Sequence, residues 1–162
     1  MAFDVLIVEH HADVRELMAG ILEHDGYRVR VAENADQALA GVEARLPHIV
    51  LLNVRLSGSR LDGLQLLALL KARHPNLPVI VTGSGEHPEK AATAIQIGAD
   101  DFIDIPCKAE RLGQVVSQAV RQGTPDHREW PRHEQVAAEI EHFRRSVSGA
   151  GKVSNDNRRE PR

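Results

Sequence analysis

Aromatic residues make up only 3% of this 162-residue chain, so a core must be assembled from Leu, Val, Ile and Ala rather than from large rings. Cysteine is almost missing too. Cys107 is the single one, which excludes a disulfide within the chain and points to a reducing compartment, the cytoplasm. There is no basic excess: 20 Lys and Arg stand against 23 Asp and Glu, for a net charge of -3. That balance provides neither the electrostatic footprint of a nucleic-acid binder nor a polybasic membrane patch. No apolar run approaches the roughly 18 residues that a membrane span needs. The opening MAFDVLIVEHH has a short apolar stretch with no basic segment before it, and reads as a first strand rather than a secretion signal. What is present is ordinary: 42% hydrophobic and 27% charged residues exclude wholesale disorder.

The apolar residues fall in two alternating patterns up to about residue 122. Val5–Val8 and Ile49–Leu52 are short continuous apolar runs, and Val79–Val81 opens the strand Val79–Thr82, the signature of strands buried on both faces. Tyr27–Ala32 alternates as a further strand, and Asp101–Ile105 makes a fifth before Pro106. Between them lie helical spacings. Val14, Leu17, Met18, Ile21 and Leu22 form one stripe, closed by Asp25-Gly26, and Asn34 can cap a helix carrying Ala35, Ala38, Leu39 and Val42. A Leu-rich helix is predicted from Gly63 to Arg73 after a loop over Val54–Asp62. Another should follow the Gly83-Ser84-Gly85 turn and stop at Gly98, and a last one carries Leu112, Val115, Val116, Ala119 and Val120.

Such strict alternation predicts a doubly wound α/β domain, a five-stranded parallel sheet with helices on both faces. The functional crevice of that fold lies at the carboxyl ends of the strands, which singles out Glu9, His10, His11, Asn53, Thr82 and Ile105. Residues 1–122 are expected to form the domain. Residues 123–147 should be a linker with an amphipathic helix on the stripe Val136, Ile140, Phe143 and Val147. Residues 148–162, rich in Gly, Ser, Asn, Arg and Pro, read as a disordered tail.

These landmarks, in this order, resemble the receiver domain of bacterial two-component response regulators. VLIVEHHADVREL is similar to the first strand with its acidic turn. PHIVLLNVRLSGSRLDGLQLL resembles the third strand, phosphorylation loop and following helix. VIVTGSGE resembles the fourth strand with its switch hydroxyl, and GADDFIDIPCKAERL the stretch around the family's Lys-Pro. The longer loop SGSRLDGL resembles receivers of the NtrX type, nitrogen-assimilation regulators. The ATPase and DNA-binding domains that such regulators carry downstream have no counterpart here, so a stand-alone domain is expected. The resemblance implies the flavodoxin-like strand order 2-1-3-4-5. It also implies a chemistry: an aspartate accepts a phosphoryl group, two further acids help hold Mg²⁺ through oxygen, and a lysine neutralises the transferring group.

At those chemical positions this sequence departs from the pattern. Asn53 takes the phosphoacceptor position, and a carboxamide is not among the groups that serve as enzymic nucleophiles. Glu9 keeps one acid, but His10 replaces the second, and imidazole is a poor ligand for Mg²⁺. Ile105 stands where the lysine before Pro106 belongs. Arg55 completes the expected pocket positions with Glu9, His10, Asn53, Thr82 and Ile105. Thr82 and Phe102, the family's switch pair, are retained. The losses agree physically, since a buried lysine without acidic partners is costly.

The expectation is therefore a pseudo-receiver, a signalling domain and not an enzyme, acting by protein contacts without phosphorylation. It carries no catalytic residue, no metal and no cofactor, and its Mg²⁺ binding should be weak or absent. Its partners should be proteins, a sensor kinase, another regulator or a second copy in a homodimer, met around Phe102. The alternative is a domain that senses a ligand or metal in the emptied pocket. Zinc sites ask for about four good ligands, and two surface histidines in a loop are the plainer reading of His10 and His11. Cys107 reads as a packed thiol.

Overall fold

A computed structural model describes residues 2–84 and 88–122. Five strands alternate with five helices: β1 (Asp4–Val8), α1 (Ala12–His24), β2 (Arg28–Ala32), α2 (Ala35–Ala44), β3 (Ile49–Asn53), α3 (Gly63–Arg73), β4 (Val79–Gly83), α4 (Pro88–Ile97), β5 (Asp101–Asp104) and α5 (Ala109–Gln122). All strand pairs are parallel, in the order β2-β1-β3-β4-β5. This is the fold the alternation predicts. Gly85, the boundary at Gly123, the linker and helix at 123–147 and the tail at 148–162 lie outside the described residues.

The continuous apolar runs are buried on both faces because successive side chains of a strand point to opposite sides. Leu6, Val8, Val50, Leu52, Val79 and Val81 join α2, α3 and α4 in one core. Val5, Ile7, Ile49, Leu51, Ile80 and Ile103 join α1 and α5 in the other. All five apolar residues expected on the inner face of α5 are buried. Two apolar residues are not where periodicity puts them. Leu17 is 61% exposed, because the inner face of α1 is formed by Met18 and Leu22 with Val14, Ala19 and Ile21 packed beside them. Val31 is 52% exposed, because β2 is an edge strand with one open flank.

Local signals set the helix ends near the site. The Asn34 carboxamide accepts from the backbone of Gln37 and caps α2. Asp62 and Gln65 exchange hydrogen bonds as a capping box at the start of α3. Gly63 follows immediately, and a Cβ there would collide with the carbonyls of Asn53 and Val54. Only glycine lets α3 begin this close to the end of β3. Gly83, expected in a turn, instead ends β4, and β5 stops at Asp104, although the Ile105 amide still donates to the Gly83 carbonyl at 2.7 Å.

The opposite edge of the sheet holds a buried ion cluster. Asp4, 3% exposed, accepts from Arg30 Nη2 at 2.9 Å and from Arg45 Nε at 3.0 Å. Burial works to raise its pKa, but the two guanidinium groups outweigh burial and hold the carboxyl below the ordinary carboxylate value. Among the described residues no helix is long and apolar enough to cross a membrane.

Candidate functional site

β1, β3, β4 and β5 end at the same edge of the sheet, and the side-chain alternation continues past their last core residues. Glu9 follows Val5 and Ile7, Asn53 follows Ile49 and Leu51, Thr82 follows Ile80, and Ile105 follows Ile103; all therefore belong to the α1–α5 face. Sheet register sets Asn53 beside Thr82, and Thr82 beside Ile103. A cleft of about 760 Å³ opens over this edge. Glu9, His10, Asn53, Arg55 and Ile105 line it, as the sequence leads one to expect, and so do His11, Leu56 and Ser57. Thr82 is buried at the edge of the sheet rather than lining the cleft.

Asn53 is held at both ends of its amide. Its Nδ2 donates to Glu9 Oε1 at 2.6 Å, and its Oδ1 accepts from the Arg55 backbone amide at 2.7 Å. The two neighbours fix the orientation, because a carboxylate only accepts and a backbone N–H only donates. Glu9 itself is 1% exposed. Its Oε2 accepts from the His11 backbone amide at 3.0 Å, and its carbonyl accepts from Arg15 Nη1 at 2.9 Å. A hydrogen bond to a charged acceptor contributes about 1.5–3 kcal/mol, so Asn53 is a principal partner of this buried acid.

The two histidines differ from the expectation of a pair of surface rings. His11 is solvent-facing, at 67% side-chain exposure, but the Nδ1 of His10 is buried and has no hydrogen-bond partner among the described residues. It lies 3.7 Å from Glu9 Oε2, too far for a hydrogen bond. His11 Nδ1 lies 3.3 Å from the same oxygen, and the ring centroids are 4.0 Å apart.

Thr82 is 1% exposed and its hydroxyl also has no partner among the described residues. Phe102 falls on the other face of the sheet and packs on the α2–α4 core. Its ring edge lies against Gly83, where a Cβ would stand 3.3 Å from Phe102 Cζ. Thr82 and Phe102 are thus separated by the sheet, joined through β4 and β5. Ile105 packs into the α1–α5 core, leaving an apolar wall beside Asn53. Nearby Cys107 is half-buried, and burial pushes its thiol pKa up against a smaller opposing pull from Arg111, which makes it a poor nucleophile at neutral pH.

Sequence reasoning missed Arg15 and the cleft-lining Val14 and Leu56. Their only signal is position, Val14 and Arg15 on the first turn of α1 and Leu56 in the loop after β3. Chemically, the described residues of the cleft offer one carboxylate, two imidazoles and a neutral carboxamide, with a guanidinium at its rim.

A fold of this order with a strand-end cleft defines a class, and comparison with known proteins gives the same one. The chain belongs to the response regulator receiver domain family, which matches residues 5–117. It is 46% identical over 120 residues to the nitrogen assimilation regulatory protein NtrX of Azorhizobium caulinodans, covering 74% of this chain and 26% of that protein. It is 30% identical over 116 residues to the DNA-binding transcriptional regulator NtrC of Salmonella typhimurium, covering 72% of this chain and 24% of that protein. The crystal structure of the receiver domain of NtrX from Brucella abortus matches with a TM-score of 0.71 and 46% identity, over 73% of this chain and 98% of that one. The chain spans about a quarter of the length of the curated relatives it matches. It is a receiver domain of two-component signalling, similar to those of NtrX regulators.

Proposed function

We propose that this receiver transmits its signal through protein contacts, without a phosphoryl group on residue 53. The observation that carries this reading is the clasped amide. Asn53 stands at the end of β3 with Nδ2 bonded to Glu9 and Oδ1 bonded to Arg55 N. A carboxamide in that state has no anionic oxygen to attack a phosphodonor. The apolar wall at Ile105 supports the same conclusion, because it supplies no charge to stabilise a transferring phosphoryl group.

The Mg²⁺ that receivers employ does not fit this donor set. Mg²⁺ asks for near-octahedral oxygen at about 2.0–2.1 Å. Among the described residues Glu9 is the only acid lining the cleft, and the Asn53 oxygen already accepts from the Arg55 amide. The neighbouring donor at residue 10 is a ring nitrogen. The domain therefore acts as a signalling module rather than an enzyme.

Its partners are proteins, a sensor kinase, another regulator or a second copy, that meet the α4–β5–α5 side around Phe102. The half-buried ring on Gly83 supports this, since it can leave that seat without disturbing the α1–α5 core. The resemblance to NtrX makes nitrogen regulation the pathway we infer. The test is a small phosphodonor with Mg²⁺, read by intact mass. We expect no added mass; one stable, Mg²⁺-dependent phosphoryl group, absent from Asn53→Ala, overturns the reading.

A further inference from the structure

We infer that Glu9, His10 and His11 form a binding site for a zinc-class divalent cation, in the place where receivers hold Mg²⁺. The inference rests on the reading that this pocket has lost its phosphoryl chemistry, and it names what the pocket takes instead. Ligand atoms from the three residues all lie within 4.8 Å of one another. With bonds of about 2.1 Å, a tetrahedral site sets its ligand atoms roughly 3.4 Å apart. The two separations to the carboxylate bracket that value, at 3.3 Å from His11 Nδ1 to Glu9 Oε2 and 3.7 Å from His10 Nδ1 to the same oxygen.

Two further observations favour a ligand. His10 Nδ1 is buried without a hydrogen-bond partner among the described residues, and such an atom is costly to leave unsatisfied. A metal bond satisfies it. Asn53 holds Oε1 of Glu9, which orients the carboxylate and presents Oε2 to the two rings, the role that outer residues play around protein metals. Two imidazoles and a carboxylate select zinc, cobalt or nickel over magnesium. The three protein ligands leave a fourth position for water or a partner's side chain, reached from the cleft they line. Metal occupancy would then set the state of the strand ends that phosphorylation sets in other receivers.

The experiment titrates the 162-residue chain with Zn²⁺ by calorimetry and with Co²⁺ by visible absorption, alongside His10→Gln, His11→Ala and His24→Ala. We expect one saturable site and a Co²⁺ band of tetrahedral type, both unaffected by millimolar Mg²⁺. His10→Gln and His11→Ala should each weaken binding by at least the roughly 10–100-fold that even supporting residues of metal sites cost. His24→Ala, at the far end of α1, should bind as the parent does. No saturable site in the parent overturns the proposal, as does unchanged affinity in either His10→Gln or His11→Ala, or a loss in His24→Ala equal to theirs. Phosphodonor treatment of the same samples keeps the two readings apart. Absent zinc binding with no added phosphoryl group sinks the metal site alone, whereas an added phosphoryl group sinks the reading beneath it.

Discussion

β1 carries two buried carboxylates, one at each end, and they are treated in opposite ways. Asp4 is 3% exposed and Glu9 is 1% exposed. Asp4 is closed off by two guanidinium groups, Arg30 and Arg45. The Glu9 carboxylate receives a side-chain amide, a backbone amide and, at longer range, two imidazoles, while Arg15 reaches only its backbone carbonyl. The first arrangement is complete, with full charges matched at hydrogen-bond distance, and it ties β1, β2 and the end of α2 together. The second leaves a carboxylate oxygen and a buried ring nitrogen 3.7 Å apart on one wall of a cleft. Stability resides at one end of the strand, and unfinished coordination at the other.

Breaking the finished end should have the largest effect. Asp4→Asn keeps the shape and removes the charge, leaving Arg30, 24% exposed, without its ion partner. Loss of one member of a buried pair costs about 3–5 kcal/mol, and partial solvation of Arg30 reduces this to about 2–3 kcal/mol. Urea unfolding at neutral pH checks it. The pH dependence follows from the sign of the shift. Because the folded carboxyl titrates below its ordinary value, the unfolded chain binds the proton first as pH falls. The stabilisation is whole above the ordinary carboxylate pKa and is lost as pH falls through the lowered folded value. Asp4→Asn should erase that acid limb; an unchanged limb would show that the cluster is decorative.

How legible these two ends were in the sequence differs sharply. The strands themselves could be read, since Val5–Val8, Ile49–Leu52 and Val79–Val81 are apolar without interruption and a parallel sheet covered on both faces requires that. The start of α3 could be read from Asp62-Gly63, and the cap of α2 from Asn34, because both act within three residues. Leu17 could not, because helical spacing gives the stripe but not how much of it a neighbour covers. The Asp4 cluster was invisible, as its partners lie 26 and 41 positions away. The cleft falls between. The strand-end rule named Glu9, His10, Asn53 and Ile105, but the bond joining Glu9 to Asn53 spans 44 positions, and the buried state of His10 Nδ1 depends on its packing.

A middle-sized effect should come from Asn53→Asp, which turns the open end into a like-charge pair. The substitution removes the Nδ2 donor and sets a second carboxylate within hydrogen-bond distance of Glu9. Without a cation we expect a loss of about 1–2 kcal/mol at neutral pH, from repulsion and one forfeited charge-assisted bond. Millimolar Mg²⁺ should restore stability to Asn53→Asp and leave the parent unmoved. An Asn53→Asp protein as stable as the parent without cation would mean that Glu9 is not poised as an acceptor.

The smallest effects make the sharpest contrast, because they compare an exposed partner at each end. Arg45 is 54% exposed and His11 is 67% exposed. Arg45→Ala leaves Asp4 its bond to Arg30, so the expected loss is about 0.5–1 kcal/mol, the range of a largely solvated ion pair. His11→Ala keeps the backbone amide that donates to Glu9 and removes only a surface ring, so its stability should stay within about 0.5 kcal/mol of the parent. The two should then part company in the presence of Zn²⁺. The ion should raise the melting temperature of Arg45→Ala as it should raise that of the parent, since a ligand of the folded state stabilises by mass action. It should leave His11→Ala unmoved. Equal responses from the two proteins would place any bound zinc away from the Glu9 end and dissolve the contrast between the ends of β1.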